Sequence, residues 1–131
     1  MPRRQPRCCR QWPGNQYFPY PYEPEQFVIT RLEEPGDTHG LHWDDYSFAL
    51  VWVAECPPTD GGGFVEWIPD TVWDKAKPEV ARLVRDRVVH TLSVSAGDVY
   101  LMRTNTTLHR VYPIRHRRRT IVNMAFASTG D

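Results

Sequence analysis

His42, Asp44, His109 and Arg119 are the residues of this chain best suited to chemistry. His42-Trp43-Asp44 sets an imidazole and a carboxylate two positions apart, and in extended backbone such residues point to the same side. Both can therefore bind one metal ion from a single strand. His109, in Thr107-Leu108-His109-Arg110-Val111, arrives on a later apolar stretch where an unpartnered imidazole would be costly. Two histidines and one carboxylate occupy one face of an octahedron and leave the other open, the arrangement that suits non-haem iron(II). Open positions let a cosubstrate and dioxygen both reach the metal. Taken alone, His42 also reads as a loop histidine bonded to Asp44 or Asp45. Its conjunction with the other two groups favours the metal. Arg119 follows His109 by ten residues and opens the last apolar run, where its guanidinium could fork onto a carboxylate. Arg118 is the alternate for that role.

These side chains need a frame. At 131 residues the chain has room for one core. Apolar and β-branched runs predict strands over 26–32, 46–55, 64–68, 89–94, 99–103, 107–114 and 120–127. Gly, Pro and Asp punctuate them, including a Gly61-Gly62-Gly63 triplet and a Gly97-Asp98 turn. Between 71 and 88 the apolar spacing turns helical, and Pro78 favours a short helix from about 78 to 87. Residues 1–22, rich in Pro, Arg and Tyr, show neither period and read as an irregular leader. Residues 23–131 then form a mainly β core, a double-stranded β-helix or cupin-like jelly roll with a short helix inserted.

Composition narrows the function. Lys+Arg equals Asp+Glu at 16 each, so no global field points to nucleic acid or a membrane. The run Arg115-His116-Arg117-Arg118-Arg119 reads as solvated turn charge with one member facing inward. No apolar run is long enough to span a bilayer, and the basic N-terminus lacks an apolar stretch behind it. Three cysteines, two of them adjacent, make no disulfide framework and fit a reducing, cytoplasmic compartment. The tryptophans, Trp43, Trp52 and Trp67 among them, read as core. Asp98 and neighbouring carbonyls are candidates to orient the ligand histidines.

From His42 to Phe126 the sequence resembles the iron(II)/2-oxoglutarate-dependent dioxygenases. The resemblance is carried by His42-x-Asp44, the glycine triplet, Ala96-Gly97-Asp98-Val99-Tyr100-Leu101, Leu108-His109-Arg110-Val111-x-Pro113 and Arg119. Within that superfamily, residues 118–125 look most like the branch of free amino-acid halogenases and hydroxylases. The resemblance implies Fe(II) on His42, Asp44 and His109, 2-oxoglutarate on Arg119, and dioxygen as oxidant. It also implies an amino-acid pocket lined by His39, Asp45 and Asn123, with Glu25 as a ligand for a distal amine. Halogenases of the branch have glycine where Asp44 stands, so this chain is expected to hydroxylate a small substrate. It is also much shorter than those relatives. A second subunit in a homo-oligomer could complete the pocket; the alternatives are a catalytically impaired cupin-like binding module, a truncated relative, or an isomerase or hydrolase using the same triad.

Overall fold

Period-two alternation, with apolar residues at inward positions, accounts for the chain's ladder of short strands. The computed structural model describes residues 17–128, without the side chains of Tyr17 and Glu25. In chain order the elements are β1 (Tyr17–Pro19), α1 (Glu23–Gln26), β2 (Phe27–Leu32), β3 (His39–His42), β4 (Phe48–Glu55) and β5 (Val65–Ile68). Then follow α2 (Val80–Asp86), β6 (His90–Leu92), β7 (Val99–Met102), β8 (Leu108–Val111) and β9 (Arg119–Ser128). One sheet runs β1-β9-β4-β7, with β2 also paired to β9; the other runs β3-β8-β5-β6. All pairings are antiparallel. The two sheets face each other as the mainly β, cupin-like jelly roll that the sequence implied.

The ten-residue β9 is the spine of the larger sheet, receiving β2 on one side and β4 on the other. Its registers set Ile121 opposite Val53, Asn123 opposite Val51 and Ala125 opposite Ala49, all on the inward side. Ala49, Val51, Val53, Val94 and Ile121 pack there as one core cluster. Leu32, Val111 and Ile114 form a second, reaching from the larger sheet to the smaller. A third lies on the outer side of the smaller sheet, where Trp43, Ile68 and Leu108 are covered by Val80 and Leu83 of α2. Trp43, between two candidate ligands in sequence, is thus a core residue, its indole N–H donating to the Thr71 hydroxyl at 2.8 Å.

Three expectations need correcting. The leader is not irregular to residue 22, because Tyr17–Pro19 pairs with the end of β9; residues 1–16 lie outside the described residues. The helix starts at Val80 rather than Pro78, because Glu79 adopts a left-handed φ of 51° that ends the preceding turn. Trp52 is not core. It faces out from β4 and is 52% exposed. Among the described residues, no helix is long and apolar enough to cross a membrane.

Candidate metal centre

β3 and β8 are neighbours, and their register places His42 directly opposite His109. Asp44 lies just past the end of β3, held by its backbone N–H on the Thr104 carbonyl at 3.1 Å. Its two carboxylate oxygens divide between the histidines: Oδ1 is 3.5 Å from His42 Nε2 and Oδ2 is 3.5 Å from His109 Nε2. One ligand atom from each of the three lies within 4.8 Å of the others.

The ring orientations are fixed from behind. His42 Nδ1 faces the Gly40 carbonyl, and His109 Nδ1 faces the Thr107 carbonyl at 2.8 Å. A carbonyl only accepts, so each Nδ1 carries a proton, which leaves each Nε2 turned toward the Asp44 carboxylate as the candidate ligand atom. Burial, reinforced by His109, pushes His42 down to about 4, so this ring is neutral at neutral pH. Burial works to raise the Asp44 carboxyl but is outweighed by the His109 hydrogen bond, the nearby histidines and the Tyr46 hydroxyl, which hold it below its usual range. Two imidazole Nε2 atoms and a carboxylate thus converge on one point. The donor set fits a divalent cation such as iron(II). Asp98 takes no part, since its exposed carboxylate caps the Ser95 N–H at 2.8 Å.

The triad opens into a cavity of about 310 Å³ between the sheets. Of the candidate pocket residues, His39, Asp45 and Asn123 line it. His39 stacks on His42 with ring centroids 4.0 Å apart, and burial lowers its pKa. Asn123 donates to the Tyr46 hydroxyl at 3.1 Å. Asp45 is half out of the cavity and holds the Lys75 ammonium at 2.7 Å. The Glu25 side chain lies outside the described residues.

Arg119 and Arg118 separate cleanly. Arg118 is exposed and pairs with Glu55 at 3.6 Å. Arg119 is 2% exposed and turns inward, its Nε donating to the Gly63 carbonyl at 2.9 Å and one terminal nitrogen facing the Tyr100 hydroxyl at 3.4 Å. Tyr100 also lines the cavity and so links the guanidinium to it. Burial raises both the Tyr100 phenol and the nearby Cys56 thiol, against the pull of Arg119, so both stay neutral. Among the described residues, no carboxylate forms an ion pair with Arg119.

Tyr100 is the site residue that the sequence reading passed over. It stood within a quoted motif without a role, although alternation with Val99 and Leu101 already separated it from the outward residues of β7. Glu66 points the other way and binds Arg110 at 2.9 Å on the outer side.

The model of the family described as Halogenase D matches residues 7–131. The chain belongs to the halogenase D family. Its fold is shared with an oxidoreductase of the 2OG-Fe(II) oxygenase family from Burkholderia pseudomallei, at a TM-score of 0.60 and 21% identity. That match covers 86% of this chain and 44% of the other, so this halogenase D family member spans less than half the length of the oxygenase. The Drosophila melanogaster CENP-C cupin domain is also similar in fold, with a TM-score of 0.53 and 14% identity over 88% of this chain and 71% of that one. No curated protein matched in sequence.

Proposed function

We propose that this protein is an Fe(II)- and 2-oxoglutarate-dependent oxygenase that hydroxylates an unactivated C–H bond of a small substrate, a free amino acid. One observation carries the reading: a buried guanidinium with no carboxylate partner among the described residues stands beside the cavity that holds the His-Asp-His cluster. A buried positive charge without a counter-ion is costly, so the position calls for an anionic ligand. A dicarboxylate spanning from the cluster to Arg119 meets that need.

His42, Asp44 and His109 would hold the iron through Nε2, a carboxylate oxygen and Nε2. Bound iron, with 2-oxoglutarate and dioxygen, supplies the oxidising power that converts C–H to C–OH while the cosubstrate leaves as succinate and carbon dioxide. The chain's own residues bind and orient. Arg119 would fork onto the distal carboxylate of the cosubstrate, and the Tyr100 hydroxyl would donate a second hydrogen bond to it. Asp45 already holds an ammonium, that of Lys75, and a substrate amine could take its place. His39 and Asn123 would complete the polar lining. Asp44 favours hydroxyl over halide transfer, because it fills the position that a glycine leaves open in the halogenases of the branch.

An anaerobic titration with Fe(II) and 2-oxoglutarate tests the reading. A visible charge-transfer band on folded protein is expected, and its absence would sink the oxygenase assignment. Succinate release against a panel of free amino acids then tests the substrate class. Stimulation only by peptides would reject the free amino acid while leaving the oxygenase standing. The alternative, a cupin-like binding module without turnover, draws on the CENP-C cupin domain, most of whose length this chain covers. It predicts a folded protein with no chelate band and no succinate.

A further inference from the structure

The outward side of the larger sheet is apolar where solvent would call for polar residues. Its registers form two rows. Phe27 stands opposite Met124, Met124 opposite Leu50, and Leu50 opposite Leu101. Ile29 stands opposite Val122, Val122 opposite Trp52, and Trp52 opposite Val99. The rows cross β2, β9, β4 and β7 without a polar interruption.

Exposure is high: Phe27 67%, Ile29 72%, Trp52 52%, Val99 57% and Leu101 44%. The inward residues of the same strands line the cavity and core, so a one-residue slip could not bury these rows without turning those residues out. The five exposed side chains alone offer on the order of 500 Å² of apolar surface, near the upper end for a monomer's largest patch. With the half-buried neighbours and the rim, a face-to-face pairing approaches the roughly 800 Å² per partner of a standard interface.

The rim argues for what covers the face. Beyond the second row stand Arg31, Thr120, Glu55 and Arg118. Arg31 donates to the Thr120 hydroxyl at 3.3 Å, that hydroxyl donates to Glu55 at 2.8 Å, and Arg118 pairs with Glu55. Both signs occur together, which suits a copy of the same surface better than the anionic surface of a membrane. Residues 1–16 contain four arginines and few large apolar side chains, too few to cover two rows of four.

We infer that this face is the interface of a symmetric homodimer, the outer side of the larger sheet packing on its counterpart in a second copy. The contact is isologous, with each apolar row meeting a two-fold-related row, in the manner of sheets stacked about 10 Å apart. The cavity lies on the opposite side of the sheet and stays open to substrate.

Sedimentation velocity on the full chain from about 1 to 100 µM tests this. The wild type is expected to run as a dimer. Trp52→Arg and Ile29→Arg should each weaken it by about tenfold or more with the circular dichroism spectrum unchanged, while Thr91→Arg, on the outer side of the other sheet, should leave it intact. If Trp52→Arg fails to fold, Val99→Lys on β7 provides the same arm. A wild type that stays monomeric throughout the range overturns the inference. So does a dimer that survives the variants, or a monomer whose Trp52 is shielded by neutral phospholipid vesicles.

Discussion

His42 illustrates how one side chain links the site to stability. An unfolded chain protonates this ring near 6.5, whereas the folded protein withholds the proton down to about 4. Between those values the unfolded state binds more protons, so the metal-free protein loses stability as pH falls through that window. The loss is capped at about 3 kcal/mol, and His39, lowered by burial too, contributes with the same sign. Thermal denaturation at stepped pH should show a steeper decline for the wild type than for His42→Gln. Arg119 offers a second residue-scale test. Arg119→Ala should weaken 2-oxoglutarate binding by at least about tenfold, measured by titration of the chelate band, and Arg118→Ala should leave it within about twofold. Spacing brought His42, Asp44 and His109 together in the sequence reading, because a two-residue step and one strand pairing suffice to do so. The choice between Arg118 and Arg119 turned on strand parity, which a run of arginines hides.

At the scale of elements, the glycine triplet is tied most closely to the site. Gly62 has a φ of +80°, and a Cβ there would stand 2.1 Å from the Pro113 carbonyl oxygen. Gly63, at φ +75°, gives its carbonyl to Arg119. Gly62→Ala should therefore destabilise the fold by about 3 kcal/mol or more, read from chemical denaturation, and any folded fraction should bind 2-oxoglutarate poorly. The long apolar runs that became β2, β4, β5 and β9 were plain from β-branched content and alternation. The short strands β1 and β3 were not. Tyr17–Pro19 is three residues long, carries a proline and pairs with the far end of β9, while His39–His42 begins with His-Gly, which has little strand propensity. Their existence depends on partners distant in sequence.

For the molecule as a whole, metal and fold should be coupled. The fold gathers two imidazole nitrogens and a carboxylate that the unfolded chain leaves scattered, so a cation there stabilises the native form and has no comparable site in the unfolded one. Saturating Fe(II) under anaerobic conditions, or Mn(II) as a redox-inert substitute, should raise the melting temperature. At a hundredfold excess over Kd the gain is about 2.7 kcal/mol, and a chelator should reverse it. In His109→Ala the rise should largely vanish. The jelly roll itself was legible from strand count and turn chemistry. The outward apolar rows were not, because in a one-dimensional pattern an apolar residue facing solvent looks the same as one facing the core. Trp52 was misread for that reason.

Each ligand ring leans on the main-chain oxygen two residues before it, Gly40 for His42 and Thr107 for His109. The aim of the donor atoms is therefore set in large part by the backbone of β3 and of the residue that leads into β8. Residues around the cavity can vary to suit a different substrate while the tautomer and direction of both imidazoles persist. A strand pair of this kind carries its own alignment, so the reactive centre and the pocket that selects for it are free to evolve separately.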